Sequence, residues 1–161
     1  MTYGIFIKMD DIRGESTDDR HRGEIDAFSW GWGVTTPSST TVGGAGGTAG
    51  KASPSDFKFS HRIDFASPSL IKACASGRHL KEAVVTVRKV GEETQELLVI
   101  KLSDVIVKSV EAGVETLENS TTENVALAFS KMEYVYNEQR PDRTLGGSNR
   151  VLWDLMSNKV A

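Results

Sequence analysis

Apolar and polar residues alternate along much of the chain, and this period of two predicts β-strands, whose successive side chains point to opposite faces. One face of a first strand carries Tyr3, Ile5, Ile7 and Met9. Further strands are predicted in runs rich in β-branched and aromatic residues: Val84–Val90, Gln95–Leu102, Val105–Val110, Asn124–Phe129 and Met132–Tyr136. The pattern therefore predicts a mainly β protein.

Two of the predicted strand runs change face partway. The apolar positions change parity between Leu102 and Val105, and again between Phe129 and Met132. Because each residue turns the side chain to the other face, a change of parity predicts a bulge or a bend, and bends help to curl a sheet into a barrel. Another predicted strand shows no such change, and one of its faces carries Phe57, Phe59, His61 and Ile63.

One short amphipathic helix is predicted directly after the strand that carries Phe57, Phe59, His61 and Ile63. Ser67 is the expected cap, Pro68 suits the first helical position, and Gly77 can end the helix. The apolar residues at helical spacing are Leu70, Ile71 and Cys74.

The segment from Thr35 to Pro54 is rich in Gly, Ser and Thr and has few side chains that could anchor it. Its end, Gly50-Lys51, is similar to the end of a phosphate-binding loop, but Ala45 and Ala52 stand where that motif needs Gly and Ser or Thr. We therefore interpret the segment as a long loop that offers a contact surface.

Length and composition favour one soluble domain spanning residues 1–161. The formal net charge of -3 provides no basic field for nucleic acid, and no apolar run is long enough for membrane insertion. A single cysteine, Cys74, excludes an internal disulfide, and no residues have zinc-ligand spacing. Met1–Asp11 lacks the features of a signal peptide, so we expect a protein that is cytoplasmic when made.

The residue types that carry chemistry do not form a recognisable catalytic, cofactor-binding or metal-binding pattern. His61 lies on an apolar strand face and is interpreted as a hydrogen-bonded core histidine, and Cys74 as a buried, inert thiol. The acidic residues between the first two strands lack the spacing of a calcium loop and are interpreted as a solvated loop, with salt bridges between subunits as the second interpretation. We therefore predict a protein that is not an enzyme and that needs no cofactor.

Trp30 and Trp32 share one face of a predicted strand, and Ser29, Gly31 and Gly33 share the other. The indoles suit a core or an interface, while the small face can leave room for a lumen or a bound partner. The alternative is that the glycines relieve crowding at a bend, and spacing alone does not rank the two.

Several segments of the chain resemble the Hcp family of type VI secretion proteins, and they occur in the order in which that family carries them. The resemblance covers nearly the whole chain and rests on Phe6–Lys8, Asp11–Ser16, Glu24–Gly33, the Gly-rich loop, Ser67–Gly77, Val87–Lys89 and Thr122–Val125. Near its end the chain reads Val151-Leu152-Trp153-Asp154, where family members often carry a Tyr-Gly-Trp-Asp-like motif.

The resemblance implies a small antiparallel β-barrel with one flanking short helix, which assembles into hexameric rings that stack as a tube. It implies as partners further copies of the chain, the sheath and tip proteins of the machine, and effector proteins held in the lumen, with export that uses no cleaved signal peptide. On this basis we expect Ser29, Gly31 and Gly33 to face the lumen. The ring-stacking loop is expected to comprise Val42, Gly43, Gly44, Ala45, Gly46, Gly47 and Thr48.

Three other functions stay open at this point. One is an effector carrier whose main role is to bind cargo, with tube building shared with related proteins in the same cell. Another is a stand-alone barrel that binds a small ligand in a closed apolar pocket. The last is a hydrolase, which would require a nucleophile or a carboxylate pair in reacting geometry.

Overall fold

A computed structural model of the protein describes residues 3–37, 51–89, 95–115, 120–140 and 145–161. The elements in this part of the chain are, in order, β1 (Tyr3–Met9), β2 (Ile25–Gly31), β3 (Val34–Thr35), β4 (Ser53–Pro54), β5 (Phe57–Arg62), α1 (Ser67–Ser76), β6 (His79–Lys89), β7 (Glu96–Glu115), β8 (Ser120–Ala128), β9 (Lys131–Gln139), β10 (Leu145–Asp154) and β11 (Lys159–Val160).

Six antiparallel strands close into a barrel in the order β7, β6, β1, β2, β5, β8 and back to β7. A flap of β9, β10 and β11 extends the sheet beyond β7. The prediction of a mainly β protein built as an antiparallel barrel with one short helix is therefore confirmed.

The apolar strand faces fill the barrel, as their alternation predicts. Ile7, Phe57, Ile100 and Leu127 are all fully buried, and they come from four different strands. In β1 the predicted face is buried apart from Tyr3, which is 47% exposed. The predicted face of β5 is buried as far as His61, but Ile63 follows the end of the strand and is exposed, so its assignment to that face was wrong.

Helix α1 covers the barrel with Leu70 and Ala73, both of which are buried. It ends, as predicted, at Gly77, whose φ of 64° places it in the left-handed region. The predicted cap at Ser67 was wrong, because Ser67 is the first helical residue. Instead, Asp64 Oδ1 accepts a hydrogen bond from the Ala66 N–H at 2.8 Å, and Ser67 Oγ accepts one from the Asp64 N–H at 3.0 Å.

The two predicted strands on either side of Asp104 form one strand, β7, that bends at this residue. Asp104 has a φ of 53°, and Leu102 and Val105 on either side of the bend are both fully buried. The N–H of Ser130, where the second change of parity lies, donates to the Ser103 carbonyl oxygen at 3.0 Å. The second change of parity therefore lies beside the bend in β7, in the short connection between β8 and β9 rather than within a strand.

Strands β3 and β4 form a two-stranded ribbon at the base of the Gly-rich loop. The Gly33 N–H donates to Ser55 Oγ at 2.9 Å, and the Ser55 N–H donates to the Gly33 carbonyl oxygen at 2.8 Å. The predicted ring-stacking segment, Val42–Thr48, lies outside the described residues.

Candidate functional site

The outward face of four neighbouring strands, β2, β5, β8 and the second half of β7, forms an open hollow of about 330 Å³. We call this face the hollow sheet. The outward-facing residues that line it are mostly small or polar and include Ser29, Gly31, Lys58, Ser60, Glu111 and Asn124.

Alternation along the strands separates this polar face from the core. On β2, Trp30 stacks on Phe57 with ring centroids 5.9 Å apart, so its indole lies on the core side of the wall. Its neighbours Ser29 and Gly31 are exposed on the other side. A side chain at Gly31 would meet nothing within 4 Å, so the glycine leaves open space in the hollow.

The structure brings together two of the three residues predicted to face a lumen. Ser29 and Gly31 line the hollow, whereas Gly33 lies beyond the end of β2, exposed at the base of the ribbon. Ser60 and Asn124 also line the hollow but were not among the predicted residues, and their side chains are hydrogen bonded with Oγ 2.6 Å from Oδ1. Their polar positions were visible in the alternation, but the pairing of β5 with β8 was not.

The hollow sheet ends in an open edge on each side. The β1–β2 ladder stops at the pair Ile5–Ala27, although β2 continues to Gly31. The β6–β7 ladder stops at the pair His79–Ile106, although β7 continues to Glu115. Among the strands that the structure describes, none pairs with these two extensions on the open sides. Open edges present unpaired backbone N–H and C=O groups that can pair with another strand.

A buried polar pair lies in the wall of the barrel. His61 Nε2 is 2.9 Å from Glu123 Oε1, and both side chains are buried, which confirms the interpretation of His61 as a hydrogen-bonded core histidine. Asp64 Oδ1 is 3.7 Å from His61 Nδ1. Burial raises the pKa of the Asp64 carboxyl group, and the nearby charges of Glu15 and Glu123 act in the same direction.

The other two histidines also contact carboxylates. His21 Nδ1 is 2.9 Å from Glu24, and His79 Nδ1 is 2.9 Å from Asp104. Within the described ranges, no imidazole is hydrogen bonded to a serine or a cysteine. These contacts show neither a catalytic triad nor an activated nucleophile in that part of the chain.

Two acidic residues between β1 and β2 form ion pairs with segments outside this loop. Asp18 is paired with Arg88, whose Nη1 is 3.1 Å from Asp18 Oδ1, and Asp11 is paired with Arg78 at 2.5 Å. In the part of the chain that the structure describes, no three His, Cys, Asp or Glu side chains are placed so that they could hold a metal ion together. In the same part, no helix is long and apolar enough to cross a membrane.

Comparisons with known proteins agree with this architecture. The family model described as "Type VI secretion system effector, Hcp" matches residues 6–136. The chain is 41% identical to Protein hcp1 of Pseudomonas aeruginosa, with all of both chains covered. It also resembles the crystal structure of Hcp1 from Salmonella typhimurium, at 36% identity and a TM-score of 0.82 with all of both chains covered. A structure titled as a type six secretion system protein matches at 25% identity and a TM-score of 0.93, covering 99% of this chain and 100% of that one.

Proposed function

Because the chain belongs to the Hcp family of type VI secretion proteins, we propose that it is a structural subunit of the secretion tube. Copies of the chain form hexameric rings, and the rings stack into a tube that is exported. The observation that carries the proposal is the match to Hcp proteins over the whole chain, together with the shared barrel. The number six comes from the family.

The two open edges of the hollow sheet support ring formation. They are different surfaces, β2 on one side and β7 on the other, so one copy can offer its β7 edge to the β2 edge of the next. Such a head-to-tail contact closes into a ring when the angle between the two surfaces is right. Pairing at each edge continues the sheet from one copy to the next and satisfies the unpaired backbone groups.

In this arrangement the hollow sheet lines the central channel. Ser29 and Gly31 then face the lumen, with Gly33 near its rim, and they give it a surface of small, polar groups. Such a surface can hold effector proteins through hydrogen bonds and water without burying large apolar areas. We propose that the lumen carries or protects effectors.

The remaining assignments follow from membership of the family. The Gly-rich segment Val42–Thr48 makes contacts between stacked rings, and the sheath and tip proteins of the machine are the further partners. The chain is made in the cytoplasm and leaves by the type VI route without a cleaved signal peptide. Its role is structural and not enzymatic.

A stand-alone barrel that binds a small ligand is less favoured. That function requires a closed apolar cavity inside the barrel. Here the interior is filled by side chains such as Ile7, Phe59 and Leu102, which are all at most 1% exposed. The hollow lies on the outer face of the wall and is open, so it is not a closed apolar cavity.

Paired cysteines on the two edges test the ring. Within one chain, Ser29 on β2 and Glu111 on β7 are three strand spacings apart, about 14 Å, which is too far for a disulfide. In a Cys74→Ala background, the double variant Ser29→Cys/Glu111→Cys can therefore form disulfides only between copies. A second pair, Ser29→Cys/Gly113→Cys, allows for a shift of two residues in the register.

On oxidation we expect at least one of the pairs to give a ladder of covalent species that ends at six subunits. The matched single variants provide the control, because one cysteine per chain cannot link more than two copies. If both double variants also stop at dimers, the proposed pairing of the edges is wrong.

A further inference from the structure

A second concave surface lies between the loop of residues 10–24 and Phe65, away from the hollow sheet. It is an open cleft of about 1010 Å³ whose exposed cationic residues are Lys8, Arg13, Arg20 and Arg22. We call it the arginine cleft. We propose that it binds an acidic peptide segment that carries one apolar side chain and belongs to a partner protein.

The acidic residues of the arginine cleft already have partners. Asp11 is paired with Arg78 at 2.5 Å, and Glu24 with His21 at 2.9 Å. Glu15 Oε2 accepts a hydrogen bond from the Phe65 N–H at 3.2 Å. The carboxylates of the cleft are therefore engaged by groups of the protein itself.

The cations are far less compensated. Among the described residues, the side chains of Lys8 and Arg20 pair with no acidic group. Arg22 forms a weak pair with Asp19, because Nη2 is 3.6 Å from Oδ1 and both side chains are exposed. The Arg13 guanidinium lies over the Phe65 ring, 5.6 Å from its centroid, and keeps its outer donors accessible. The cleft thus carries available positive charge on a chain whose net charge is -3.

The cleft is built by a loop with a fixed backbone. The Gly14 N–H donates to the Gly23 carbonyl oxygen at 2.8 Å, and the Ser16 N–H to the Glu24 carbonyl oxygen at 3.0 Å. The ion pair between Asp18 and Arg88 fastens the same loop to the barrel. Because the three arginines lie on this ordered loop, less backbone conformational entropy is lost when a ligand binds.

Phe65 indicates that the ligand has an apolar element. Its ring is 64% exposed although it lies in the cleft under Arg13, and aromatic residues and arginines are both enriched at the centres of protein interfaces. A continuous polyanion such as nucleic acid is disfavoured, because the cleft also contains Asp11 and Glu15, whose carboxylates keep their negative charge although they have partners. Separate carboxylates around one apolar side chain match this pattern better.

The proposal is tested on the full-length protein, with a fluorescein-labelled ten-residue peptide of Asp and Glu around one central Phe. Fluorescence anisotropy measures its binding. We expect Arg13→Glu and Arg20→Glu each to weaken binding by roughly tenfold, because each reverses a charge that contacts the peptide. Phe65→Ala should lower the affinity for the Phe-containing peptide and leave the affinity for an all-acidic peptide unchanged.

The control variant is Lys101→Glu, which makes the same charge change at an exposed residue of β7 outside the cleft. It should change the affinity by no more than about twofold, since distant surface charges are screened. Circular dichroism confirms that each variant is folded. Three results would each overturn the proposal: no binding by the parent protein, an equal loss in Lys101→Glu, or tighter binding of single-stranded DNA than of the peptide. The proposal does not depend on the ring, whose failure would be visible separately in the cross-linking experiment.

Discussion

His61 and Glu123 face each other across strands β5 and β8, with Nε2 2.9 Å from Oε1 and neither side chain more than 1% exposed. The pair lies in the wall that also carries the hollow sheet. Asp64, which accepts a hydrogen bond from the Ala66 N–H at the start of α1, has its Oδ1 3.7 Å from the other imidazole nitrogen, beyond hydrogen-bond distance. The buried pair therefore lies close to the segment that begins the helix, and its hydrogen bond to Glu123 is the contact that holds the imidazole.

Removal of one partner from this pair should be costly. We expect His61→Ala to lower the free energy of unfolding by about 3–5 kcal/mol, because it leaves the Glu123 carboxyl group buried without its partner. The double variant His61→Leu/Glu123→Leu should cost less than His61→Ala alone, since it leaves no buried polar group. Urea denaturation of the double variant and of the single variants His61→Leu and Glu123→Leu gives the coupling between the residues. Strictly additive costs would contradict the account.

The ion pair between Asp18 and Arg88 predicts a dependence of stability on pH. The hydrogen bond from Arg88 lowers the pKa of Asp18 from 3.8 to about 2. Because the pKa is lower in the folded state, the stabilisation by Asp18 is present above the unfolded value and is lost as the pH falls towards 2. We expect Asp18→Asn to lower the free energy of unfolding by about 1 kcal/mol near neutral pH. The loss is small because the ion pair is partly exposed to solvent.

The difference in stability between the parent protein and Asp18→Asn should therefore shrink between pH 4 and pH 2, as measured by urea denaturation at several pH values. A difference that stays constant or grows as the pH falls would show that Asp18 does not stabilise the protein as a carboxylate.

Gly14 and Gly31 should differ sharply in their tolerance of alanine. A Cβ atom at Gly14 would overlap the backbone of Glu24 and Ile25, whereas one at Gly31 would meet nothing within 4 Å. We expect Gly14→Ala to destabilise the protein by about 2 kcal/mol through steric overlap. Gly31→Ala should change stability by no more than about 0.5 kcal/mol. Thermal unfolding of the two variants makes the comparison, and equal effects would contradict the packing described for the loop of residues 10–24.

Local pattern was enough to predict several elements. The alternation of apolar residues identified the buried faces of β1 and β5, and Gly77 marked the end of α1. The parity change at Asp104 predicted the bend in β7. A shift of one residue moves the following apolar side chains to the other face of the strand, and this shift can be read from the local sequence. It did not reveal that the chain continues through the bend as a single strand.

Other features depend on contacts between distant segments. Strand β10 contains Gly146, Gly147 and Ser148 and shows no clear alternation, so its place is set by pairing with β9. Ile71 has helical spacing but is 52% exposed, because the barrel meets the helix on the side of Leu70. The hollow likewise combines residues of four strands, and only the β2 contribution was predicted from the sequence.

The proposed tube subunit is tested most directly by the mass of the purified protein in solution, measured by light scattering coupled to size exclusion. Negative-stain images of the same peak show the shape of the particle. The account predicts a particle of about six times the 17.5 kDa subunit with a visible central hole. A monomer over a wide range of concentrations would contradict it and would favour a barrel that acts alone.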